Sequence, residues 1–116
     1  MKIYLAGPMR GLPNFNFPAF DFAAHKLRNE GHFVFSPAEK GEEAALDGNP
    51  DLQNSVAFRR KVFKLDTAYI CDEADMIAML PGWKKSSGAI AEHALAIAIG
   101  LEIQYLGQEY IPWYMR

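Results

Sequence analysis

The chain has 116 residues, half of them hydrophobic and 22% charged, and its 12 basic and 14 acidic residues give a net charge of −2. This length predicts one domain over 1–116 whose core needs no disulfide or metal. The slight acidic excess argues against a nucleic-acid polymer as the main partner. No apolar run reaches the roughly 18 residues of a transmembrane helix and no signal-peptide pattern opens the chain, so we expect a cytoplasmic protein without a membrane partner.

Strand and helix patterns alternate along the chain. Short apolar runs predict strands over 3–6, 33–35, 76–80 and 101–106. Helical spacing of apolar residues predicts helices from Pro18 until Gly31 stops the first of them, over 55–73 and over 88–99. The polar stretch 38–54 is predicted to be a long loop with a helical turn near 42–46. Alternation of this kind is typical of an open parallel sheet with helices on both faces.

Ligands of such a sheet bind outside the carboxyl ends of its strands. In this sequence these ends lead into 7–16, 36–54, 81–87 and the aromatic tail. Residues of unusual chemistry are concentrated in these segments. We therefore expect the functional site at this edge of the sheet.

The helix over 88–99 is apolar apart from Glu92 and His93. Such a helix is buried on more than one side, so one face is expected to meet the sheet and the other a second subunit. A carboxylate in these surroundings is costly unless it is paired, hydrogen-bonded or used in chemistry, which makes Glu92 a candidate functional residue. The alternative is a narrow solvent-facing stripe of Glu92 and His93. His93 is otherwise typical of a packed, hydrogen-bonded side chain.

The helix over 55–73 has an apolar stripe at Phe58, Val62, Leu65 and Tyr69. Asp66 lies on the flank of this stripe, which fits either a partly buried acid or a charge at the rim, and the pattern slightly favours the rim. The single cysteine, Cys71, lies in the same helix and is predicted to be a small core residue.

The turn after the first strand has features of an anion site. Backbone amides of the glycine-containing segment 7–11, together with the side chain of Arg10, suit a phosphate or carboxylate oxygen. A serine of 86–87 suits the cap of the following helix, while the other hydroxyl and the amides suit an anion, and the two roles are compatible. No spacing of His, Cys and Asp resembles a metal site, and no cofactor is expected.

Together these motifs resemble the nucleoside 2-deoxyribosyltransferase superfamily, which includes the 2′-deoxynucleoside 5′-phosphate N-hydrolases. The resemblance lies in the opening run IYLAGPMRG at 3–11, in 66–75, in LPGW at 80–83 and in the Ser86-x-Gly88-x-x-x-Glu92 spacing. More narrowly, 74–102 is similar to a small phage and bacterial branch. The resemblance implies a flavodoxin-like three-layer α/β fold with a four- or five-stranded parallel sheet.

The resemblance also implies cleavage of the N-glycosidic bond of a deoxynucleoside or deoxynucleotide. Glu92 falls at the family's nucleophile, Asp66 at the acid that assists the leaving base, and Tyr4 at a tyrosine that positions the nucleophile. The family is typically dimeric or larger, which agrees with the apolar helix over 88–99. A homodimer or larger homo-oligomer is therefore expected.

Substrate binding is assigned to the turn after the first strand and to the segment that leads into the third helix, at Gly7, Met9, Arg10, Gly11, Trp83, Ser86 and Gly88. Of these, Arg10, Gly11 and Ser86 match positions that hold a 5′-phosphate in the N-hydrolases. Trp83 and two lysines stand in a loop where classical transferases carry acidic residues, and the tryptophan either stacks on a base or plugs the end of the sheet.

The sequence is also compatible with two other functions. The chain fits a nucleotide-binding module that has the pocket without turnover. It also fits a structural protein whose apolar helix serves only assembly.

Overall fold

A computed structural model describes residues 1–39 and 55–116. In chain order its strands and α-helices are β1 (Lys2–Ala6), α1 (Phe17–Asn29), β2 (Phe33–Phe35), α2 (Val56–Asp72), β3 (Met76–Met79), α3 (Ser87–Ile99) and β4 (Glu102–Tyr105). The sequence predicts each of them, with ends that agree to within about two residues. The loop predicted over 38–54, with its helical turn, lies almost wholly outside the described residues.

The four strands form one parallel sheet in the order β2-β1-β3-β4. Helix α1 packs on one face and helices α2 and α3 pack on the other, which gives three layers. This is a flavodoxin-like α/β arrangement, with four strands in the described part of the chain. The strand order reverses between β1 and β3, and folds of this class bind ligands in the crevice beyond the carboxyl ends of such a pair.

The side chains of β1 alternate between the two layers. Ile3 and Leu5 are buried in the cluster that contains α1, whereas Tyr4 and Ala6 are buried in the cluster that contains residues of α2 and α3. A shift of one residue would exchange these two sets, so burial on both faces fixes the register of the strand. The phenol of Tyr4 therefore lies on the side of the sheet that α2 and α3 cover.

Helix α2 buries fewer apolar residues than its stripe predicts. Its buried side chains are Asp66 and Ile70. Leu65 is 52% exposed and Cys71 is also exposed, so the predictions of a buried stripe residue and a small core residue are wrong. Successive residues of a helix are about 100° apart, which turns both positions well away from the face shared by Asp66 and Ile70.

The outer face of α3 is exposed in a single copy of the chain. Ile97 is 58% exposed, and Ile90 and Ile99 are also exposed. The buried residues of the helix occupy one face only, at Ala89, Glu92 and Ala96. One copy therefore does not provide the burial on more than one side that the sequence predicts.

Candidate active site

A cavity of about 1000 Å³ lies between α2 and α3, beyond the carboxyl ends of β1 and β3. Its walls come from β1 and the turn after it, from the region around the start of α1, from α2 and from the first turns of α3. Folds of this class bind ligands at the position where the strand order reverses. The described residues thus form a cavity at the edge of the sheet where the sequence predicts one.

Three side chains from three elements meet on the wall of this cavity. Tyr4 comes from β1, Asp66 from α2 and Glu92 from α3, and they are 0%, 5% and 6% exposed. The hydroxyl of Tyr4 donates a hydrogen bond to Oε2 of Glu92. The ring of Tyr4 stacks on Phe35 with 5.5 Å between the centroids, which restricts the direction of the hydroxyl.

The two carboxyl groups have raised pKa values. Burial raises the pKa of Glu92 to about 8, against the hydrogen bond from Tyr4, which lowers it, while the charge of Asp66 raises it further. Burial raises the pKa of Asp66 to about 6, and an interaction with the Tyr4 hydroxyl lowers it. Burial, followed by the charges of Glu92 and Asp66, raises the pKa of Tyr4, so the phenol stays a neutral donor.

These values make Asp66 and Glu92 a coupled pair that holds one proton near neutral pH. Such a pair can present one anion and one acid to the same substrate, which is the requirement of nucleophilic attack with protonation of a leaving group. Oδ1 of Asp66 is buried and has no hydrogen-bond partner among the described residues. A buried polar atom without a partner is costly and is typical of a functional group.

The position of Asp66 corrects the sequence-based preference for a charge at the rim. The side chain is buried because the face of α2 that carries it packs near Tyr4, as shown by Ile70 in the same buried cluster and by the ring of Tyr69 at 6.4 Å from that of Tyr4. The pattern of α2 alone does not reveal this, since the neighbours of Asp66 in the sequence, Leu65 and Thr67, are not buried.

Most of the predicted substrate-binding residues line the cavity, namely Gly7, Met9, Arg10, Ser86 and Gly88. Oγ of Ser86 accepts a hydrogen bond from the amide of Ala89 at 3.2 Å, which confirms its role as the cap of α3. Gly11 lies outside the lining of the cavity. The anion site expected after β1 and the one expected before α3 thus belong to the same cavity.

Trp83 is not brought to the cavity. Its ring packs on His93 with 4.2 Å between the centroids and stacks on Tyr105 at 6.1 Å. Nε2 of His93 and the hydroxyl of Tyr105 lie 2.7 Å apart, as expected of a packed, hydrogen-bonded histidine. This placement corresponds to the plug at the end of the sheet, the alternative to stacking on a base.

Four further cations line the cavity in addition to Arg10. Three lie on α2, at Arg59, Arg60 and Lys64, and Lys85 precedes α3. Two lysines of the 81–85 loop stand out in the sequence, whereas none of the cations on α2 is predicted to line the site. Helical spacing could have identified these cations. One face of α2 carries six positions that all line the cavity, at 56, 59, 60, 63, 64 and 67.

The close approach of β1 and β3 below the cavity requires glycine at position 7. A Cβ atom at Gly7 would lie 2.8 Å from Cβ of Leu80, whereas one at Gly88 would meet no atom closer than 3.9 Å. Gly7→Ala is therefore expected to lower the free energy of unfolding by about 1–3 kcal/mol in urea denaturation. Gly88→Ala, a helix residue with room for the methyl group, is the matched control and is expected to be neutral or stabilising. Equal effects of the two substitutions would contradict the contact with Leu80.

Residues 1–39 and 55–116 contain neither a cluster of side chains placed to hold a metal ion nor a membrane-spanning helix. No group of three or more His, Cys, Asp and Glu side chains there is placed to hold a metal ion. In the same residues no helix is both long and apolar enough to cross a membrane.

The comparison with protein families gives one match. The model of a domain of unknown function, DUF4406, matches residues 1–105, which is most of the chain, so the chain belongs to this family. No curated protein matches the chain.

Proposed function

We propose that this member of the DUF4406 family cleaves the N-glycosidic bond of 2′-deoxynucleosides or their 5′-monophosphates, with Glu92 as the nucleophile. The observation that carries the proposal is the buried pair of carboxyl groups of Asp66 and Glu92, which meets the phenol of Tyr4 on the wall of one cavity. The resemblance to the deoxyribosyltransferase superfamily contributes the class of reaction. In this proposal the protein is a cytoplasmic enzyme of nucleotide metabolism.

In the first step a carboxylate oxygen of Glu92 attacks C1′ of the deoxyribose. The bond between C1′ and the base nitrogen breaks, its electron pair leaves with the base, and the carboxyl group of Asp66 donates a proton to that base. The result is a glycosyl ester on Glu92 and a free base. The transition state resembles an oxocarbenium ion, so a buried carboxylate against the sugar lowers its free energy.

In the second step an acceptor resolves the ester. Asp66, now ionised, takes a proton from water while the water oxygen attacks C1′ and releases Glu92 as a carboxylate. Attack by the nitrogen of a second base instead gives base exchange. Tyr4 acts as a positioning residue, because its hydrogen bond engages Oε2 of Glu92 and leaves the other oxygen for the attack.

Base release is the measurement that tests the proposal. The four deoxynucleoside 5′-monophosphates and their deoxynucleosides are incubated with the protein, with and without a free acceptor base, and the products are separated by chromatography. Free base with deoxyribose 5-phosphate is expected from a hydrolase, and a new nucleotide from a transferase. Thermal stabilisation by nucleotides without any product would indicate a nucleotide-binding module. The absence of both product and thermal stabilisation would indicate an assembly protein. Each of these last two results would contradict the proposal.

Arg10 provides a prediction about the phosphate of the substrate. A charged hydrogen bond to phosphate contributes about 1.5–3 kcal/mol, so Arg10→Ala is expected to raise KM for a deoxynucleoside monophosphate by roughly tenfold or more. The KM of the corresponding deoxynucleoside is expected to change by less than about twofold, because it has no phosphate. Steady-state kinetics on both substrates checks this. Equal effects would remove the phosphate-binding role of Arg10.

We also propose that a second copy of the chain covers the outer face of α3. The exposed side chains there are uncharged, and Ile97 is more than half exposed. A contiguous apolar face of this kind is typical of an interface. By light scattering, the wild type is expected to be a dimer or larger, and Ile97→Glu is expected to shift it towards the monomer. The control is Phe33→Glu on the exposed edge strand β2, which is expected to leave the assembly intact. A monomeric wild type at micromolar concentration would contradict the proposal.

A further inference from the structure

Aromatic side chains line the cavity on two sides. Five of the chain's eight phenylalanines contribute to this lining. Three of them lie around the start of α1, at Phe15, Phe17 and Phe20, and two lie on α2, at Phe58 and Phe63. Aromatic rings pack well against other flat rings, so this lining suits a ligand that carries an aromatic group.

Most of the rings on the α1 side are buried or contact one another. Phe20 is 1% exposed, and Phe15 and Phe17 pack together with 5.8 Å between their centroids. The two phenylalanines of α2 differ from these. Within the described part of the chain, neither Phe58 nor Phe63 contacts another aromatic ring, and Phe63 is 37% exposed. The ring of Phe63 therefore retains free surface in a cavity that suits a ligand.

The position of Phe63 relates it to both carboxyl groups of the site. It precedes Asp66 by three residues, which places the two side chains on one face of α2, about 4.5 Å apart along the helix axis. A Cβ atom at Gly88 would lie 4.0 Å from Cε2 of Phe63, so the edge of the ring lies against the first turn of α3. Glu92 follows Gly88 by one turn of that helix. The ring thus bridges the two helices that carry the carboxyl groups, one turn from each of them.

The buried Oδ1 of Asp66 is a second observation that points to a ligand beside this ring. This atom has no hydrogen-bond partner among the described residues, and Asp66 lines the cavity. A polar edge of a ligand would satisfy it. Phe63 is one turn from this atom's residue, whereas Phe58 precedes Asp66 by eight residues, about 12 Å along the axis. A ring whose edge meets Asp66 is therefore placed to lie on Phe63 and not on Phe58.

We infer that Phe63 is the surface on which the base of the deoxynucleoside or deoxynucleotide stacks, with a polar edge of that base at Asp66. The inference rests on the proposed function for the identity of the ligand. Stacking on Phe63 and protonation by Asp66 are compatible, because the first uses the flat face of the base and the second its edge. Every nucleobase has such a face, so Phe63 contributes affinity for the base and none for the sugar or the phosphate.

Ligands with and without a base distinguish this role. The Glu92→Gln variant, in which turnover is expected to be lost, is titrated calorimetrically with dAMP and with 2-deoxyribose 5-phosphate, which lacks the base. Adding Phe63→Ala is expected to weaken the binding of dAMP by roughly five- to a hundredfold, the range found for loss of one base–aromatic stack. The affinity for 2-deoxyribose 5-phosphate is expected to change by less than about twofold, which also shows that the variant is folded.

Three further variants in the same background serve as controls. Phe63→Tyr retains an aromatic face and is expected to bind dAMP within about twofold of the parent. Phe22→Ala removes a phenylalanine of similar exposure, 40%, from α1 outside the cavity and is expected to change neither affinity. Phe58→Ala removes the other phenylalanine of α2 that lines the cavity and is expected to weaken dAMP binding less than Phe63→Ala does.

Four outcomes would overturn the inference. These are an unchanged affinity of Phe63→Ala for dAMP, an equal loss for both ligands, a tyrosine variant as weak as the alanine variant, and a loss in Phe58→Ala as large as that in Phe63→Ala. Absence of any dAMP binding would overturn it together with the proposed function. Because all these readouts are affinities, binding of dAMP through Phe63 without base release in the wild type would contradict only the proposed reaction.

Discussion

Replacement of Glu92 by glutamine is expected to abolish base release and to stabilise the fold at alkaline pH. Glutamine retains the shape of the side chain and an oxygen that accepts the hydrogen bond from Tyr4, but its amide does not attack C1′. Loss of a covalent nucleophile commonly costs several orders of magnitude in rate, roughly 4–8 kcal/mol of transition-state stabilisation. The rate of base release is therefore expected to fall by at least about a thousandfold.

The gain in stability follows from the raised pKa of Glu92. A glutamate in the unfolded chain ionises near 4.5, whereas burial in the folded chain raises this pKa to about 8. Between these values the folded chain holds a proton that the unfolded chain has released, so the free energy of unfolding falls as the pH rises from 4.5 to about 8. This difference in pKa corresponds to a loss of at most about 5 kcal/mol in the free energy of unfolding above pH 8. Glutamine carries no charge and removes this loss.

Thermal unfolding at two pH values measures the effect. At about pH 8.5 the glutamine variant is expected to melt on the order of 10 °C above the wild type, and at about pH 5 within a few degrees of it. Glu102→Gln removes an exposed carboxylate from β4 and is the matched control, expected to change neither activity nor the pH dependence of stability. If the glutamine variant released base, Glu92 would not be the nucleophile. If the variant changed the melting temperature equally at both pH values, the raised pKa of the buried Glu92 would be contradicted.

The elements of the fold could be predicted because their burial leaves local patterns. The run 76–80 is apolar throughout, since β3 is buried on both faces of the sheet. The ends of α3 are marked by residues with a physical reason to be there. Ser86 caps its first turn, and Gly100 follows its last with a φ of 81°, which favours glycine. Signals of this kind depend only on residues that are close in sequence.

The site could be predicted only in part because it depends on residues that are far apart in the chain. Glu92 interrupts an apolar helix, so its burial is visible locally. Asp66 lies in a helix with many charges, and its burial depends on the packing of α2 near Tyr4, a residue more than sixty positions away in the chain. The direction of the Trp83 ring is likewise set by Tyr105, on a strand that follows α3. Neither relation is encoded in periodicity or spacing.

The rate of the proposed reaction is expected to depend on pH through the carboxyl groups of Asp66 and Glu92. The proposed reaction needs Glu92 ionised and Asp66 protonated, which is one proton on the pair. With pKa values of about 6 and about 8, the pair holds one proton between these limits. We therefore expect kcat/KM to rise through about pH 6 and to fall through about pH 8. The shared proton resides mostly on Glu92, which has the higher pKa, so the active arrangement is a minor one. The Tyr4 hydroxyl lowers the pKa of Glu92 and also that of Asp66, so it favours the ionised form of each carboxyl group.

Asp66→Asn is expected to convert this bell-shaped profile into a single rising limb. Only Glu92 then titrates, and the alkaline decrease disappears because no acid remains to be lost. The midpoint is expected at or below about 8, since the charge of Asp66 raises the pKa of Glu92 in the wild type. The plateau is expected to fall by about 10²–10⁴, the contribution of a general acid. A deoxynucleoside is the substrate of choice, because a phosphate titrates near pH 6 itself. A bell of unchanged shape in the asparagine variant, or a flat wild-type profile from about pH 5 to 9, would contradict the role of Asp66 as the acid.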